Sequence, residues 1–565
     1  MEALDWLVIG VFFLALIGII VWVVRQKQND SADYFLGGRD ATWLAIGASI
    51  FASNIGSEHL IGLAGAGASS GMAMAHWEIQ GWMILILGWV FVPFYTRSMV
   101  YTMPEFLERR YNPQSRTILS VISLVSYVLT KVAVTVYAGG LVFQQVFGIK
   151  ELWGIDFFWI AAIGLVLLTA LYTIFGGMKS VLYTSVLQTP ILLLGSLIIL
   201  VLGFKELGGW DEMMRICGAV TVNDYGDSMT NLIRNNDDPN FPWLGALIGS
   251  AIIGFWYWCT DQFIVQRVLS GKNEKEARRG TIFGAYLKLL PVFLFLIPGM
   301  IAFALHQKYI GAGGEGFLPM LADGTTANAD AAFPTLVAKL LPAGVKGLVV
   351  CGILAALMSS LASLFNSSAM LFTIDFYKRF KPETPEKKLV GIGQIATIVI
   401  VILGILWIPI MRSVGDVLYT YLQDVQSVLA PGIAAAFLLG ICWKRTSAQG
   451  GMWGLISGMV IGLTRLGAKV YYSNAGEVAD STFKYLFYDM NWLFFCGWMF
   501  LFCIIVVIVV SLATEAPTTE KIQGLVFGTA TKEQKAATRA SWNHWDIIHT
   551  VIILAITGAF YWYFW

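Results

Sequence analysis

The sequence predicts an all-α integral membrane protein with about fourteen transmembrane helices, and three observations carry that prediction. The first is composition. Of 565 residues, 57% are apolar and 13% charged, where soluble globular chains carry about 25% charge. Mean hydropathy is +0.69. The second is a recurrence of apolar runs long enough to cross a hydrocarbon core ~30 Å thick. The third is the sorting of basic residues into alternate loops. The 36 Phe, 21 Trp and 21 Tyr suit aromatic belts at two lipid interfaces. A net charge of +1 gives no sign of a nucleic-acid partner. The lipid bilayer is the partner that composition implies, and nothing calls for an oligomer.

The spans follow in order. Residues 7–24 lack a basic n-region and run into Arg25 without a small-residue cleavage site, so they read as a retained crossing. Next come 42–66, with a Gly- and Ser-rich middle, then 73–96 and 117–145. Residues 157–176 and 181–203 flank a short loop bearing Lys179. A polar loop at about 204–242, mixing Gly, Asn, Asp and Pro, precedes 243–266 and 281–305. A second such loop, 306–334, leads to 335–374, 389–410, 417–442, 449–468, 489–513 and 546–564. Several exceed the ~20 residues a crossing needs, which predicts tilt, kinks or turns. The segment 514–545 is polar and reads as a linker or surface helix.

One set of alternate loops carries Arg25, Lys27 and Arg39; Arg97, Arg109, Arg110 and Arg116; Lys179; and Arg267, Lys272, Lys275, Arg278 and Arg279. It continues with Lys378, Arg379, Lys381, Lys387 and Lys388; Lys444 and Arg445; and Lys521, Lys532, Lys535 and Arg539. These are most of the 37 lysines and arginines. The positive-inside rule makes this set cytoplasmic, with both termini extracellular or periplasmic in a cytoplasmic (inner) membrane. The six Cys are scattered, mostly in apolar runs, with no metal or disulfide pattern.

Ionisable residues at membrane depth cost roughly 2.5–3.5 kcal/mol each, so each one needs a reason. The second span carries Asn54, Gly56, Ser57, Glu58 and His59 in its middle. Clustered polar groups around a Gly are what an unwound helix centre uses, freeing carbonyls for a cation while half-helix ends meet a ligand. Close helix packing is the alternative for Gly62, Gly65 and Gly71. For Glu58, an internal pair is the alternative. Glu78 and Lys288 lie in different spans and either pair with each other or hold a polar substrate. Trp256, Tyr257 and Trp258 precede Asp261 and Gln262. Aromatics beside polar groups suit sugars, whose C–H face stacks on rings while hydroxyls bond amides and carboxylates; an interfacial belt is the other reading. Lys131, a lone base in a long helix, reads as snorkelling or structural. Ser359, Ser360 and Ser363 share a helix face. Their hydroxyls offer a hard oxygen site for an alkali cation, or bond back to their own helix. There is no Ser/His/Asp set, metal cluster or phosphate loop, so an enzyme is not expected.

At these residues the chain resembles the solute:sodium symporter family, in its sodium/glucose cotransporter branch. The similarity extends from DYFLGGR at 33–39 to WKRT at 443–446. Between them lie SNIGSEHLIGLAGAGA, TMPEFLERRY, WYWCTDQFIVQR, YLKLLP, MSSLASLFNSSAMLFT and the YLQ at 421–423. The resemblance implies a leucine-transporter-type fold with two inverted five-helix repeats and alternating access around a midplane site. An extra N-terminal helix and loop would occupy 1–41, the first repeat 42–204, an extracellular loop 205–242 and the second repeat 243–446. Three further helices with a cytoplasmic linker would fill 447–565. It also implies a hexose-binding set of Asn54, His59, Glu78, Tyr257, Trp258, Lys288 and Gln423. Tyr257, Trp256 and Tyr419 would act as gates. Sodium, the co-transported ion, would meet carbonyls of Ala52, Ile55 and Ala356 and hydroxyls of Ser359 and Ser360.

Two-sodium members carry an Asp where this chain has Ser185 and a hydroxyl where it has Ala362. The expectation is therefore one sodium per sugar. Gly254 and Trp77 stand beside the site at positions where relatives differ, which leaves the preferred hexose open. The rival readings are a symporter for an inositol, an acidic sugar or an amino acid, and a sugar-gated ion pathway or sensor.

Overall fold

The computed structural model describes the backbone of residues 1–26, 30–56, 58–321, 324, 326–412, 418–474 and 479–565. The side chains of 129, 130, 145, 407, 410–412, 418–422 and 474 are not among those described. Lys27, Ser57 and the side chain of Tyr419 therefore lie outside the described residues.

The chain runs as helices: α1 (Ala3–Val24), α2 (Trp43–Asn54), α3 (Ala64–Ser70), α4 (Pro113–Ser126), α5 (Ala133–Phe147), α6 (Phe157–Leu207), α7 (Trp243–Gly254) and α8 (Gln262–Leu269). It continues through α9 (Glu274–Lys288), α10 (Ile297–Gly311), α11 (Val345–Met370), α12 (Glu386–Arg412), α13 (Leu418–Cys442), α14 (Ala448–Asn474), α15 (Trp492–Ala513) and α16 (His544–Tyr563). Ten helical segments among the described residues are long and apolar enough to cross a membrane. Large apolar side chains stay exposed along α1, α12, α15 and α16. Such stripes suit lipid and not water.

Where the expected spans and the helices differ, local geometry explains it. Residues 157–176 and 181–203 belong to one helix of 51 residues, about 76 Å long if straight and far beyond one bilayer core. It is bent at Gly177, which adopts φ +53° and ψ −148°, a conformation open to a residue without Cβ. The second span is broken as its sequence predicts. α2 ends where Ile55 turns extended (φ −79°, ψ 103°), and a π-helical turn, Glu58–Leu63, leads into α3. A second break follows α7: a π-helical turn, Phe255–Thr260, ends at extended Asp261 before α8. α3 crosses α10 in backbone contact, since a Cβ at Gly67 would lie 2.2 Å from Leu296 O and one at Gly299 1.9 Å from Ala64 O. Small residues permit that approach.

Loops of the basic set pack against one another. Ala41 N donates to Ser270 O and Lys272 N to Ala41 O. Arg39 reaches Val100 O at 2.9 Å, Arg116 pairs with Asp375 at 2.7 Å, and Arg279 with Asp546 at 3.0 Å. Lys521 donates to Glu108 O at 3.0 Å. All of these join loops of the basic set. On the other face, Asp5 accepts from Gly344 N at 2.7 Å and Gly347 N at 2.8 Å, which seats α1 on the start of α11. α11 itself is almost wholly buried.

Candidate functional site

Residues of the two helix breaks line one chamber. Asn54, at the last turn of α2, and His59, on the π-helical turn beyond the break, form one wall. Glu78 comes from the third span, Tyr257 and Trp258 from the second break, Lys288 from the end of α9, and Gln423 from α13. The structure thus brings all seven expected binding residues to one chamber. Its cavity volume is about 60 Å³, room for a few water molecules.

What keeps the chamber narrow is a chain of contacts between its own polar groups. Lys288 Nζ donates to Glu78 Oε2 at 2.6 Å and to Asn54 Oδ1 at 3.2 Å. Asn54 Nδ2 donates to Tyr257 OH at 3.1 Å. His59 Nε2 lies 3.4 Å from the same Glu78 oxygen. Glu78, Lys288 and His59 are each at least 97% buried. Burying such charges is sustained by pairing and hydrogen bonds. The Tyr257 and Trp258 rings meet edge-on at 5.0 Å, and Lys288 Nζ lies 5.3 Å from the Trp258 ring centre. The walls therefore offer amide, carboxylate, ammonium and phenol groups beside aromatic faces, a set matched to a hydroxylated ring.

Next to the chamber, α11 lies against the first break. Ser53 and Ser363 hydroxyls bond at 2.6 Å. Ser360 lines the chamber, and its Oγ lies 3.1 Å from where a Cβ on Gly56 would sit. Ala52, Ile55 and Ala356 are buried, with Ile55 at the interrupted helix end, where last-turn carbonyls lack intrahelical partners. Ser359 hydroxyl sits 3.3 Å from Ser185 hydroxyl, and Ser185 also donates to Val181 O at 2.6 Å. Ala362 is fully buried. Among the described residues, no group of three or more His, Cys, Asp or Glu forms a metal cluster.

Several lining residues were not singled out from the sequence. Gln80 follows Glu78 by two positions at the same depth. Its Nε2 donates to Ser250 O at 2.7 Å, and a Cβ at Gly254 would come within 2.4 Å of its Oε1. Gln426 lies one turn from Gln423 and also lines the chamber. Lys131 is the larger difference. The sequence reads it as snorkelling or structural, and the structure buries its side chain to 10% exposure. It lines the chamber and pairs with Asp261 at 2.7 Å. Of the expected gate residues, Tyr257 lines the chamber, and Trp256 is buried with its ring centre 5.5 Å from Lys131 Nζ.

The chain matches the sodium:solute symporter family over residues 34–458. It is 38% identical to sodium/myo-inositol cotransporter 2 of Mus musculus over 94% of this chain and 80% of that protein. Identity with sodium/glucose cotransporter 4 of Danio rerio is 35%, over 92% and 80%. The structure of a Na⁺-coupled sialic acid symporter in a substrate-bound outward-open state superposes with a TM-score of 0.73 at 22% identity. That match covers 92% of this chain and 99% of the other, and it shows a shared fold.

Proposed function

Because the chain belongs to the sodium:solute symporter family, and is a sodium-coupled, multi-pass membrane transporter by that membership, we propose that it imports a neutral hexose with one sodium ion per sugar. The observation that carries the neutral substrate is the pairing of cations in the chamber. Lys288 and Lys131 both line it, and each already holds a carboxylate, at 2.6 and 2.7 Å. An anionic sugar would need a cation left over. A neutral polyol needs only groups that exchange one hydrogen-bond partner for another. Asn54, His59, Glu78, Lys288 and Gln423 are the hydroxyl-binding groups in this reading. Tyr257 and Trp258 provide the ring faces, and Tyr257, Trp256 and Tyr419 the gates. Sugar would enter as Asn54 releases Tyr257 and Lys288 releases Asn54, its hydroxyls replacing those contacts.

Sodium would sit between Ala52, Ile55, Ala356, Ser359 and Ser360, an all-oxygen set suited to a hard cation. Ser185 and Ala362 leave a second ion without a carboxylate. Ion and sugar share the break after Asn54, so each biases the same conformation. The linkage is reciprocal: sugar raises sodium affinity by the factor by which sodium raises sugar affinity. At about −100 mV one inward charge gains ~2.3 kcal/mol. In this reading the chain makes fourteen crossings, with inverted repeats over 42–204 and 243–446, the basic loops in the cytoplasm and both termini outside.

A second reading, myo-inositol as the substrate, is favoured by the likeness to the myo-inositol cotransporter. Uptake of labelled glucose, galactose, myo-inositol, sialic acid and an amino acid into proteoliposomes, each measured with and without an inward sodium gradient, separates these. Sodium-dependent uptake of neutral hexoses supports the proposal. Uptake confined to myo-inositol selects the second reading, and uptake of sialic acid or the amino acid overturns both.

A further inference from the structure

We propose that Lys131 and Asp261 form the latch of the chamber floor, the ion pair that must part before sugar passes to the cytoplasmic side. The inference rests on the transport reading above and extends it to residues outside the expected binding set. Both residues sit where helix geometry is already loosened. Lys131 is in a π-helical turn, Tyr127–Val132, that leads into α5. Asp261 is the extended residue between the second π-helical turn and α8. Their side chains meet at 2.7 Å while only 10% and 2% exposed.

Each partner is held from more than one direction. Tyr127 OH donates to Asp261 Oδ1, and that oxygen also accepts from Phe263 N at 3.2 Å, capping α8. Around the Lys131 ammonium stand the rings of Tyr257 at 4.7 Å, Phe263 at 4.8 Å, Tyr127 at 5.0 Å and Trp256 at 5.5 Å. Cation–ring contacts of this kind strengthen when water is excluded. Lys131, Tyr257 and Phe263 line the chamber, and Asp261 begins the half-helix that descends to Ser270, where the basic loops join.

The pair therefore fastens the Tyr127–Val132 turn to α8 beneath the substrate groups. No path to the basic face opens there unless those two elements separate. An ion pair suits this task, because its attraction is strong in a dry floor and weak once water enters. Closure is thus stabilised while the floor is sealed, and the parted ions are hydrated once it opens.

The test uses the full chain in oriented proteoliposomes, in a Cys442→Ser background, with a reporter cysteine at Thr135 on the chamber wall. A membrane-impermeant thiol reagent is applied from the basic-loop face, without sugar. Lys131→Met and Asp261→Asn should each speed reporter labelling about tenfold, a coupling of ordinary size. Both variants should lower the maximal rate of sodium-driven uptake, and in Asp261→Asn, which lies behind the chamber lining, sugar affinity measured by binding should stay nearly unchanged. The reversed pair, Lys131→Asp with Asp261→Lys, should restore slow labelling only in part, because an ammonium at 261 cannot accept from Tyr127 OH or Phe263 N. Tyr127→Phe, which removes one hydroxyl and keeps the ring, should accelerate labelling in the same direction by less. Unchanged labelling in Asp261→Asn and Tyr127→Phe overturns the latch, as does loss of sugar affinity without any change in labelling. If the unaltered latch pair sustains sodium-driven uptake in those experiments, the transport reading stands apart from the latch. If it shows none, the transport reading itself fails.

Discussion

Removing the ammonium of Lys288 is the sharpest perturbation the chamber allows. In Lys288→Met the side-chain volume is nearly kept, but Glu78 loses its 2.6 Å partner and Asn54 Oδ1 its 3.2 Å donor. Glu78 is 1% exposed and keeps His59 at 3.4 Å, a weaker contact than the ammonium it loses. Breaking a buried pair by removing one member costs about 3–5 kcal/mol, whereas replacing both members by neutral groups is often close to neutral. Lys288→Met should therefore lose about 3–5 kcal/mol of stability, and Lys288→Met with Glu78→Gln should recover most of it. Thermal unfolding in detergent, read as a double-mutant cycle, should give a coupling at or above the ~3 kcal/mol upper end usual for groups in contact. The stability gained back should not restore sugar binding, because both hydroxyl-binding groups are gone, while sodium binding remains measurable in the double variant. Additive losses with no coupling would refute the reasoning, as would a double variant that binds sugar normally.

Three further outcomes follow from the same geometry. Removing both hydroxyls in Ser359→Ala/Ser360→Ala should weaken sodium by about 3 kcal/mol or more, over a hundredfold in sodium concentration for half-maximal uptake; uptake that stays sodium-driven at the original concentration contradicts the site. Gly254→Ala places a methyl 2.4 Å from the present position of Gln80 Oε1, so the Gln80 side chain should swing away and weaken its bond to Ser250 O, raising the sugar KM a few-fold; an unchanged KM means that Gln80 does not help to shape the sugar site. Asp330, in the loop between α10 and α11, has a buried Oδ1 without a hydrogen-bond partner, and burial raises its carboxyl from 3.8 to about 6. Its packing beside Gly65 should be firmest below about pH 4, weakening as pH rises through about 6; hydrogen exchange of residues 326–340 should follow that sign, and Asp330→Asn should abolish it.

The sequence revealed depth more readily than direction. Polar residues in apolar runs marked Asn54, His59, Glu78 and Lys288 because a charge or amide in lipid is expensive wherever it faces, whereas Gln423 came from the family resemblance alone. The break after Asn54 was legible from Gly56 and its polar neighbours, and the structure places it at Ile55. What a linear reading lacked was the azimuth of each helix. Lys131 looked isolated because its partner Asp261 lies 130 positions away and its orientation depends on a π-helical turn with no strong sequence signal. Gln80 lies two positions from Glu78, but spacing alone does not tell that it faces the chamber. The run 157–203 was read as two crossings, and its bend at Gly177 rests on a backbone conformation that hydropathy does not report.

The central claim is that one chamber couples a single sodium ion to a neutral hydroxylated ring. Labelled sodium and labelled hexose fluxes, measured together in the same proteoliposomes under an imposed voltage, test it most directly. The prediction is hexose flux that requires sodium and moves with it one to one. Hexose flux indifferent to sodium, or two sodium ions carried per sugar, would contradict it.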